Sequence, residues 1–234
     1  MIKTKIALAQ IQSVPGDVGA NLRKHIAVIE RAASAQAAMI IFPELSLTGY
    51  EPTLAKDLAL TQEDARLTIF QQLSDTHQMV IGVGVPTQQE AGVCISLVLF
   101  QPSAGRLVYS KKYLHSDEEP YFVSGENFPY LNVNDRQVAF AICYEISIIE
   151  HAQSAMAAGA EIYLASVAKS ASGVASAHQR LATIARENEI PVLMVNNIGP
   201  ADDFVGAGCS ASWNKQGELV AQLGEEEDLI FVVL

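Results

Sequence analysis

Cys143 closes the stretch Val138-Ala139-Phe140-Ala141-Ile142-Cys143-Tyr144-Glu145, where an apolar run with strand character stops at a thiol and turns polar. Two upstream segments are punctuated in the same way. Phe42-Pro43-Glu44-Leu45 and Tyr109-Ser110-Lys111-Lys112-Tyr113-Leu114 each set a charged residue at or just past an apolar strand. A thiol becomes a useful nucleophile when a base takes its proton or a nearby positive charge favours its thiolate, and a carboxylate with an ammonium supplies both effects. No Cys-His pair is required. On residue type alone Cys143 also reads as a small core hydrophobe. Glu44 equally reads as half of a structural ion pair, since a carboxylate between Phe42-Pro43 and Leu45 is costly to bury unless it is paired or used.

The elements that position these residues follow from periodicity. Strands are predicted at Lys5 to Ile11, Ala38 to Phe42, Met79 to Val85, Gln137 to Ile142, Glu161 to Val167 and Pro191 to Asn196. Val93 to Gln101 and Leu107 to Lys111 read as antiparallel strands around the turn Pro102-Ser103-Ala104-Gly105, and a final pair falls around Gly208 to Trp213 and Glu218 to Leu223. Helices are predicted at Asn21 to Ala37, Glu63 to His77, about Glu150 to Ala158 and about Ala175 to Asn188. Strands and helices alternate with hairpins mixed in, which favours an α/β layered fold with mixed sheets over a purely parallel, doubly wound one. Gly82 and Gly84 lie inside a strand with Pro86 close behind, so close backbone packing rather than a phosphate loop is expected there.

The chain has 234 residues, half of them apolar and 18% charged, enough to bury a large core in one compact domain spanning 1–234. A formal charge of -11 and the lack of any Lys/Arg cluster argue against nucleic acid or an anionic membrane as partner. Met1 to Lys5 followed by Ile6 to Ala9 resembles the start of a signal peptide, but Gln10 and Gln12 break the apolar run too early, and the segment reads as a first strand. No stretch approaches a membrane span. Three cysteines, Cys94, Cys143 and Cys209, cannot all pair within one chain, and a reducing cytoplasm is the expected setting.

Further segments carry a family resemblance. Gly16-Asp17, Asn21 and Ile40-Ile41-Phe42-Pro43-Glu44-Leu45-Ser46-Leu47-Thr48-Gly49-Tyr50 resemble the opening signature of the nitrilase superfamily, the carbon-nitrogen hydrolases. Tyr109 to Leu114 resembles its lysine motif, with Tyr113 where a histidine is common, and Cys143-Tyr144-Glu145 with Glu150 resembles its cysteine motif. Ala158-Gly159-Ala160-Glu161, Ala185-Arg186-Glu187-Asn188 and Asn196-Asn197-Ile198-Gly199 extend the match in the family's order over nearly the whole chain. The resemblance implies a four-layer α-β-β-α sandwich of two mixed β-sheets, with Glu44, Lys111 and Cys143 as the catalytic group. Glu119, eight residues past Lys111, matches a second glutamate near lysine and substrate; read without the family, its segment is an acidic surface loop.

The implied mechanism is amide hydrolysis. Glu44 deprotonates Cys143, the thiolate attacks the carbonyl, and Lys111 with a backbone N–H, that of Tyr144, holds the oxyanion. Ammonia or an amine leaves, and water hydrolyses the thioester. No metal or organic cofactor enters, and a metal site built from His115 and its acidic neighbours is not expected. Ser147 stands where relatives that read an α-carboxylate often carry arginine, which favours a neutral small linear amide over N-carbamoyl amino acids. Ser166-Val167-Ala168-Lys169 replaces a common Asn-Trp-Pro segment, giving an unusual pocket wall in which Lys169 either binds a substrate carboxylate or is solvated. Tyr50, Tyr113 and Tyr144 are candidate pocket residues or core tyrosines with hydroxyls at the surface. His25, His77, His151 and His178 read as structural. The C-terminal arm that commonly helps dimerisation is expected to be short or absent, and a homodimer through a helix face is expected by analogy. Beside the thiol amidase stand two alternatives: a nitrilase, N-carbamoyl amine hydrolase or acyltransferase using the same three residues, and a non-enzymatic interaction protein on the same fold.

Overall fold

Alternation along single strands decides the layering. In β1 (Lys5–Gln10), Ile6 and Leu8 enter one apolar cluster while Ala7 and Ala9 enter another, as the period of two in a strand requires. The computed structural model describes residues 3–126 and 130–234, so Met1 and Ile2 of the amino-terminal reading lie outside the described residues. After β1 come α1 (Val18–Ser34), β2 (Met39–Ile41), α2 (Ala55–Leu58), α3 (Thr68–His77), β3 (Val80–Gln88), β4 (Val93–Phe100) and β5 (Leu107–Ser110). There follow β6 (Leu131–Val133), β7 (Arg136–Ile142), α4 (Ile149–Ala157), β8 (Ile162–Val167), α5 (Ala171–Asn188) and β9 (Val192–Asn196). The chain continues through β10 (Ile198–Ala201), β11 (Phe204–Ala207), β12 (Ala211–Trp213), β13 (Leu219–Gln222) and β14 (Asp228–Val233).

Two six-stranded mixed sheets result, ordered β14-β1-β2-β3-β4-β5 and β13-β12-β9-β8-β7-β6, with β10-β11 as a separate hairpin. Each sheet has a parallel centre, β1-β2-β3 and β7-β8-β9, flanked by antiparallel strands. One apolar cluster joins Ile6, Leu8, Met39 and Ile41 to Val138, Phe140, Ile142 and Leu164, and so lies between the sheets. A second packs Ala7, Ile40 and Phe42 against Val28 and Ile29 of α1 and Phe70 of α3. A third packs Ala139, Ala141 and Tyr163 against Ala155 of α4 and Leu181 of α5. Three interlayer cores define the four-layer α-β-β-α sandwich that the resemblance implies.

Element ends move for local reasons. Helix α1 starts at Val18 rather than Asn21 because the Asp17 side chain accepts the Ala20 N–H at 2.8 Å and caps it. The helix predicted from Glu63 begins only at Thr68, after a 3₁₀ turn at Ala65–Leu67 capped by Asp64. Strands β6, β10, β11 and β14 have no counterpart in the sequence reading. The last of these, Asp228–Val233, is an edge strand in register with β1 from Lys5↔Val233 to Gln10↔Asp228. Among the described residues no helix is long and apolar enough to cross a membrane.

The close backbone packing expected at the two strand glycines is present at Gly84, whereas Gly82 is crowded by the side chains of Ile41 and Leu99. A Cβ on Gly84 would stand 2.3 Å from the Pro43 carbonyl oxygen and 2.5 Å from the Leu45 nitrogen, both backbone atoms that cannot swing aside. Gly84 therefore sets the distance between β3 and the Glu44 turn. Gly84→Ala is expected to destabilise the fold by about 1–3 kcal/mol or more through overpacking, read as a lowered denaturation midpoint, and to cut any activity that depends on Glu44 more than the stability loss explains.

Candidate active site

Glu44 follows β2 in a turn whose bonds leave it little freedom. Phe42 N–H donates to Gly82 O at 2.9 Å, Leu47 N–H to Gly84 O at 3.0 Å and Ser46 N–H to Pro43 O at 3.1 Å. Leu45 adopts a left-handed φ of 51°. Below the turn, His25 of α1 meets the Ser46 hydroxyl at 3.0 Å, and Asn21 donates to Leu47 O at 3.0 Å. Lys111 stands one residue past β5, fully buried, whereas Lys112 is exposed with its ammonium 5.6 Å from the Tyr113 ring centre. The two neighbours thus part at the strand end, one side chain buried and the other in solvent.

Cys143 comes directly after β7, at the start of a 3₁₀ turn spanning Cys143–Ser147, and its φ is 46°. That conformation is uncommon for a residue with a Cβ and costs on the order of 1 kcal/mol or more. Glu145 over-determines it. This buried carboxylate accepts the N–H of Ile142 at 2.8 Å, of Lys112 at 2.7 Å and of Tyr113 at 3.3 Å, together with the Tyr109 hydroxyl. His151 stands 3.4 Å from it and bonds the Tyr109 and Tyr163 hydroxyls, each at 2.8 Å. Burial would raise Glu145, but His151, Tyr109 and the Ile142 N–H hold it below the ordinary range. One side chain thus ties the end of the lysine strand to the cysteine turn.

The strand ends converge as the sequence reading expected. Lys111 Nζ lies 2.8 Å from Glu44 Oε1 and 2.5 Å from Glu118 Oε1, with all three side chains almost wholly excluded from solvent. The second carboxylate is Glu118, not Glu119, which is exposed. Glu118 turns inward because its own loop folds around it: its N–H donates to His115 O at 2.9 Å, and its Oε2 accepts the His115 N–H at 2.7 Å. Tyr50 donates its hydroxyl to Glu118 Oε1 at 3.0 Å. Burial, followed by the charges of Glu44, Glu118 and Cys143, raises Tyr50 far enough to keep that proton.

Protonation follows from burial and charge. Burial alone would lower Lys111, but Glu44, Cys143 and Glu118 outweigh it and hold the ammonium above its usual range. Burial pushes Glu44 up to about 6 against the opposing pull of Lys111. Burial and the Glu44 charge push the Cys143 thiol up to about 11, against Lys169 and Lys111. The thiol lies close enough to affect the Glu44 carboxyl, yet its sulfur contacts the Ala168 carbonyl at 3.6 Å and Glu44 Oε2 is buried without a hydrogen-bond partner. A proton acceptor therefore stands beside a strained, neutral thiol.

Cys143 opens into a cleft of about 290 Å³ whose walls include Tyr50, Tyr144, Phe204 and Lys169. Tyr50 packs edge-on to Phe204 and Tyr144 edge-on to His115, with centroids 5.6 and 5.1 Å apart. Phe204 escaped the sequence reading because it belongs to the unforeseen hairpin β10-β11. Two expected pocket residues are elsewhere. Tyr113 turns its ring toward His151, 6.2 Å away, and Ser166 is buried with its hydroxyl donated to Phe42 O at 2.9 Å across the two sheets. A larger hollow of about 820 Å³, lined by Gln62, Cys94 and Arg106, lies beside β4 and β5 and touches none of Glu44, Lys111 and Cys143. Among the described residues no cluster of three or more His, Cys, Asp or Glu side chains is arranged to hold a metal ion.

A cysteine raised on a strained turn, with a buried carboxylate and ammonium at its side on an α-β-β-α sandwich, places the protein in the class of thiol-dependent hydrolases of the nitrilase superfamily. Comparison with known proteins agrees. The carbon-nitrogen hydrolase family model matches residues 5–234, and the chain belongs to that family. It is similar to an (R)-stereoselective amidase from Pseudomonas sp, 28% identical over 95% of this chain and 82% of the relative. It is also similar to a glutamine-dependent NAD(+) synthetase from Aquifex aeolicus (strain VF5), 30% identical over 98% of this chain but only 42% of that longer protein. Among solved structures it resembles the amidase from Nesterenkonia sp. AN1, with a TM-score of 0.90 and 26% identity over 99% of this chain and 90% of that one. Those structures include a complex with butyramide and a covalent acetamide adduct, from fluoroacetamide, at the active-site cysteine.

The unforeseen part of this site, Glu145, yields a stability prediction. Glu145→Ala leaves three backbone N–H groups without their acceptor and is expected to cost about 3 kcal/mol or more, measured by chemical denaturation. Glu145→Gln keeps an acceptor oxygen and should cost clearly less.

Proposed function

We propose that the protein hydrolyses small linear amides through a Cys143 thioester. The observation that carries this reading is the asymmetry of Glu44, whose Oε1 is bonded to Lys111 while its buried Oε2 has no hydrogen-bond partner among the described residues, with the thiol within reach of the carboxyl. Burial and the Glu44 charge hold the Cys143 thiol above its usual range while Glu44 rises only to about 6, so in the empty site the proton rests on sulfur. The transfer therefore accompanies attack on the carbonyl, when the negative charge passes from sulfur to the substrate oxygen. Lys111 Nζ and the Tyr144 N–H, in the first turn after the nucleophile, are the donors that receive this oxyanion.

Protonated Glu44 then hands its proton to the departing nitrogen, releasing ammonia or an amine. Water, deprotonated by Glu44, attacks the thioester and restores the thiol. Glu118 and Tyr50 hold the Lys111 ammonium in place throughout. The amidase relatives support an amide as substrate, and the butyramide complex of the Nesterenkonia amidase supports a short acyl chain. The cleft, at about 290 Å³, lies at the small end of the range for ligand pockets.

Ammonia release across a panel of aliphatic amides tests the reading. Cys143→Ala should abolish it, Lys111→Ala should lower kcat by about a hundredfold or more, and equal release from wild type and Cys143→Ala would remove the nucleophile from the mechanism. Matching nitriles, and hydroxylamine as competing acceptor, separate amidase from nitrilase and acyltransferase chemistry. Glu44 must be ionised to act as base, so log kcat/KM should fall with unit slope as pH drops below about 6 and level off above it. A profile flat from pH 4.5 to 7.5 would exclude Glu44 as the base.

A further inference from the structure

The charges around the Cys143 cleft are paired with one exception. Asp117 Oδ1 lies 2.5 Å from His115 Nδ1, and Glu118 is engaged by Lys111, Tyr50 and the His115 N–H. Lys169 lines the same cleft half-buried, and among the described residues its ammonium has neither an ion-pair nor a hydrogen-bond partner. Its backbone, in contrast, is fixed. The Lys169 N–H donates to Asn196 Oδ1 at 2.8 Å, and its carbonyl accepts from Asn196 Nδ2 and from the Ala207 N–H, both at 3.0 Å. Asn196 is fully buried and held in turn by bonds to Gly208 O at 2.8 Å and to Ser210 Oγ at 2.9 Å. A rigid root thus presents a free cation to the cleft, and its charge is felt at the Cys143 sulfur, where it opposes the effect of burial.

The surroundings give that cation a purpose. The buried cluster next to the thiol holds two carboxylates for one ammonium, and the whole chain carries a formal charge of -11. An anionic amide entering this field is repelled unless a cation on the cleft wall meets it, whereas a neutral amide needs none. An ammonium that is partly stripped of water and lacks a protein partner gains most from a carboxylate, through a charge-assisted hydrogen bond.

We propose that Lys169 binds a carboxylate of the substrate, so that the preferred substrates are short linear amides with a carboxylate at the end opposite the carboxamide, such as monoamides of four- or five-carbon dicarboxylic acids. The proposal rests on the amidase reading of Cys143 and narrows it to anionic amides, in place of the neutral amide that Ser147 alone favoured. Lys169 is a specificity-determining residue in it and takes no part in proton transfer.

Succinamate and 4-oxopentanamide, which match in length and differ in the carboxylate, provide the test. Wild type should favour succinamate by about tenfold or more in kcat/KM, mostly through KM, and 0.5 M salt should shrink that preference. Lys169→Met should bring the ratio close to one, and Lys169→Glu should invert it. A wild-type ratio near one, or a ratio unchanged in both variants, overturns the role of Lys169. Turnover of 4-oxopentanamide that disappears in Cys143→Ala, with no preference for succinamate, defeats this inference alone. Failure of wild type to hydrolyse any amide defeats the amidase reading beneath it.

Discussion

The buried ammonium of Lys111 is the constraint to which the rest of the site answers. Removing such a charge from water costs several kcal/mol, and the cost is met only by close, well-aligned partners. Glu44 and Glu118 supply them from two different segments, at 2.8 and 2.5 Å. The two sheets must therefore meet in one register: β2 and β5 of the first sheet deliver Glu44 and Lys111, and β7 of the second delivers Cys143. The Ser166 hydroxyl bound to Phe42 O fastens β8, the neighbour of β7, to the root of the Glu44 turn. Gly84 lets that turn lie directly on β3.

Strain at Cys143 is the second consequence. A thiol carried on a regular strand would face one of the two sheet surfaces; the left-handed residue at the strand end turns it into the cleft instead. Glu145 makes the turn persist by binding N–H groups on both sides of it. Because those groups belong to β7 and to the segment after β5, the same carboxylate that stabilises the turn also sets the lysine strand against it. Tyr109 and His151 then satisfy Glu145, and Tyr163 holds His151 in turn.

Much of this was legible in the chain, and the misses have physical causes. Glu44, Lys111 and Cys143 stand at ends of strongly periodic strands, where a charged residue or thiol departs visibly from the pattern. Glu118 sits in an irregular loop, where no period distinguishes it from Glu119; only the folded loop turns one carboxylate inward and leaves its neighbour in solvent. Ser166 could have been placed by parity, since Ile162 and Leu164 of β8 face the other sheet and Tyr163 and Ala165 face the helices. Strand parity points the Ser166 hydroxyl across the sandwich rather than into the cleft. Strand β14 was missed because Phe231 and Val233 are exposed while Ile230 and Val232 are buried, so an all-apolar sequence conceals a half-buried edge.

The ratio of two carboxylates to one ammonium also assigns the acid-base work. A lysine beside a single carboxylate in an apolar interior can yield its proton to that partner, leaving a neutral pair. Here Glu44, Cys143 and then Glu118 together outweigh burial and keep Lys111 cationic. Lys111 can then act only as a fixed positive charge, and every proton in the proposed cycle must pass through Glu44. For that duty Glu44 needs a proton affinity near neutrality and an oxygen free to use it. Burial raises its pKa to about 6, Lys111 prevents a larger rise, and Oε2, without a hydrogen-bond partner among the described residues, is that oxygen.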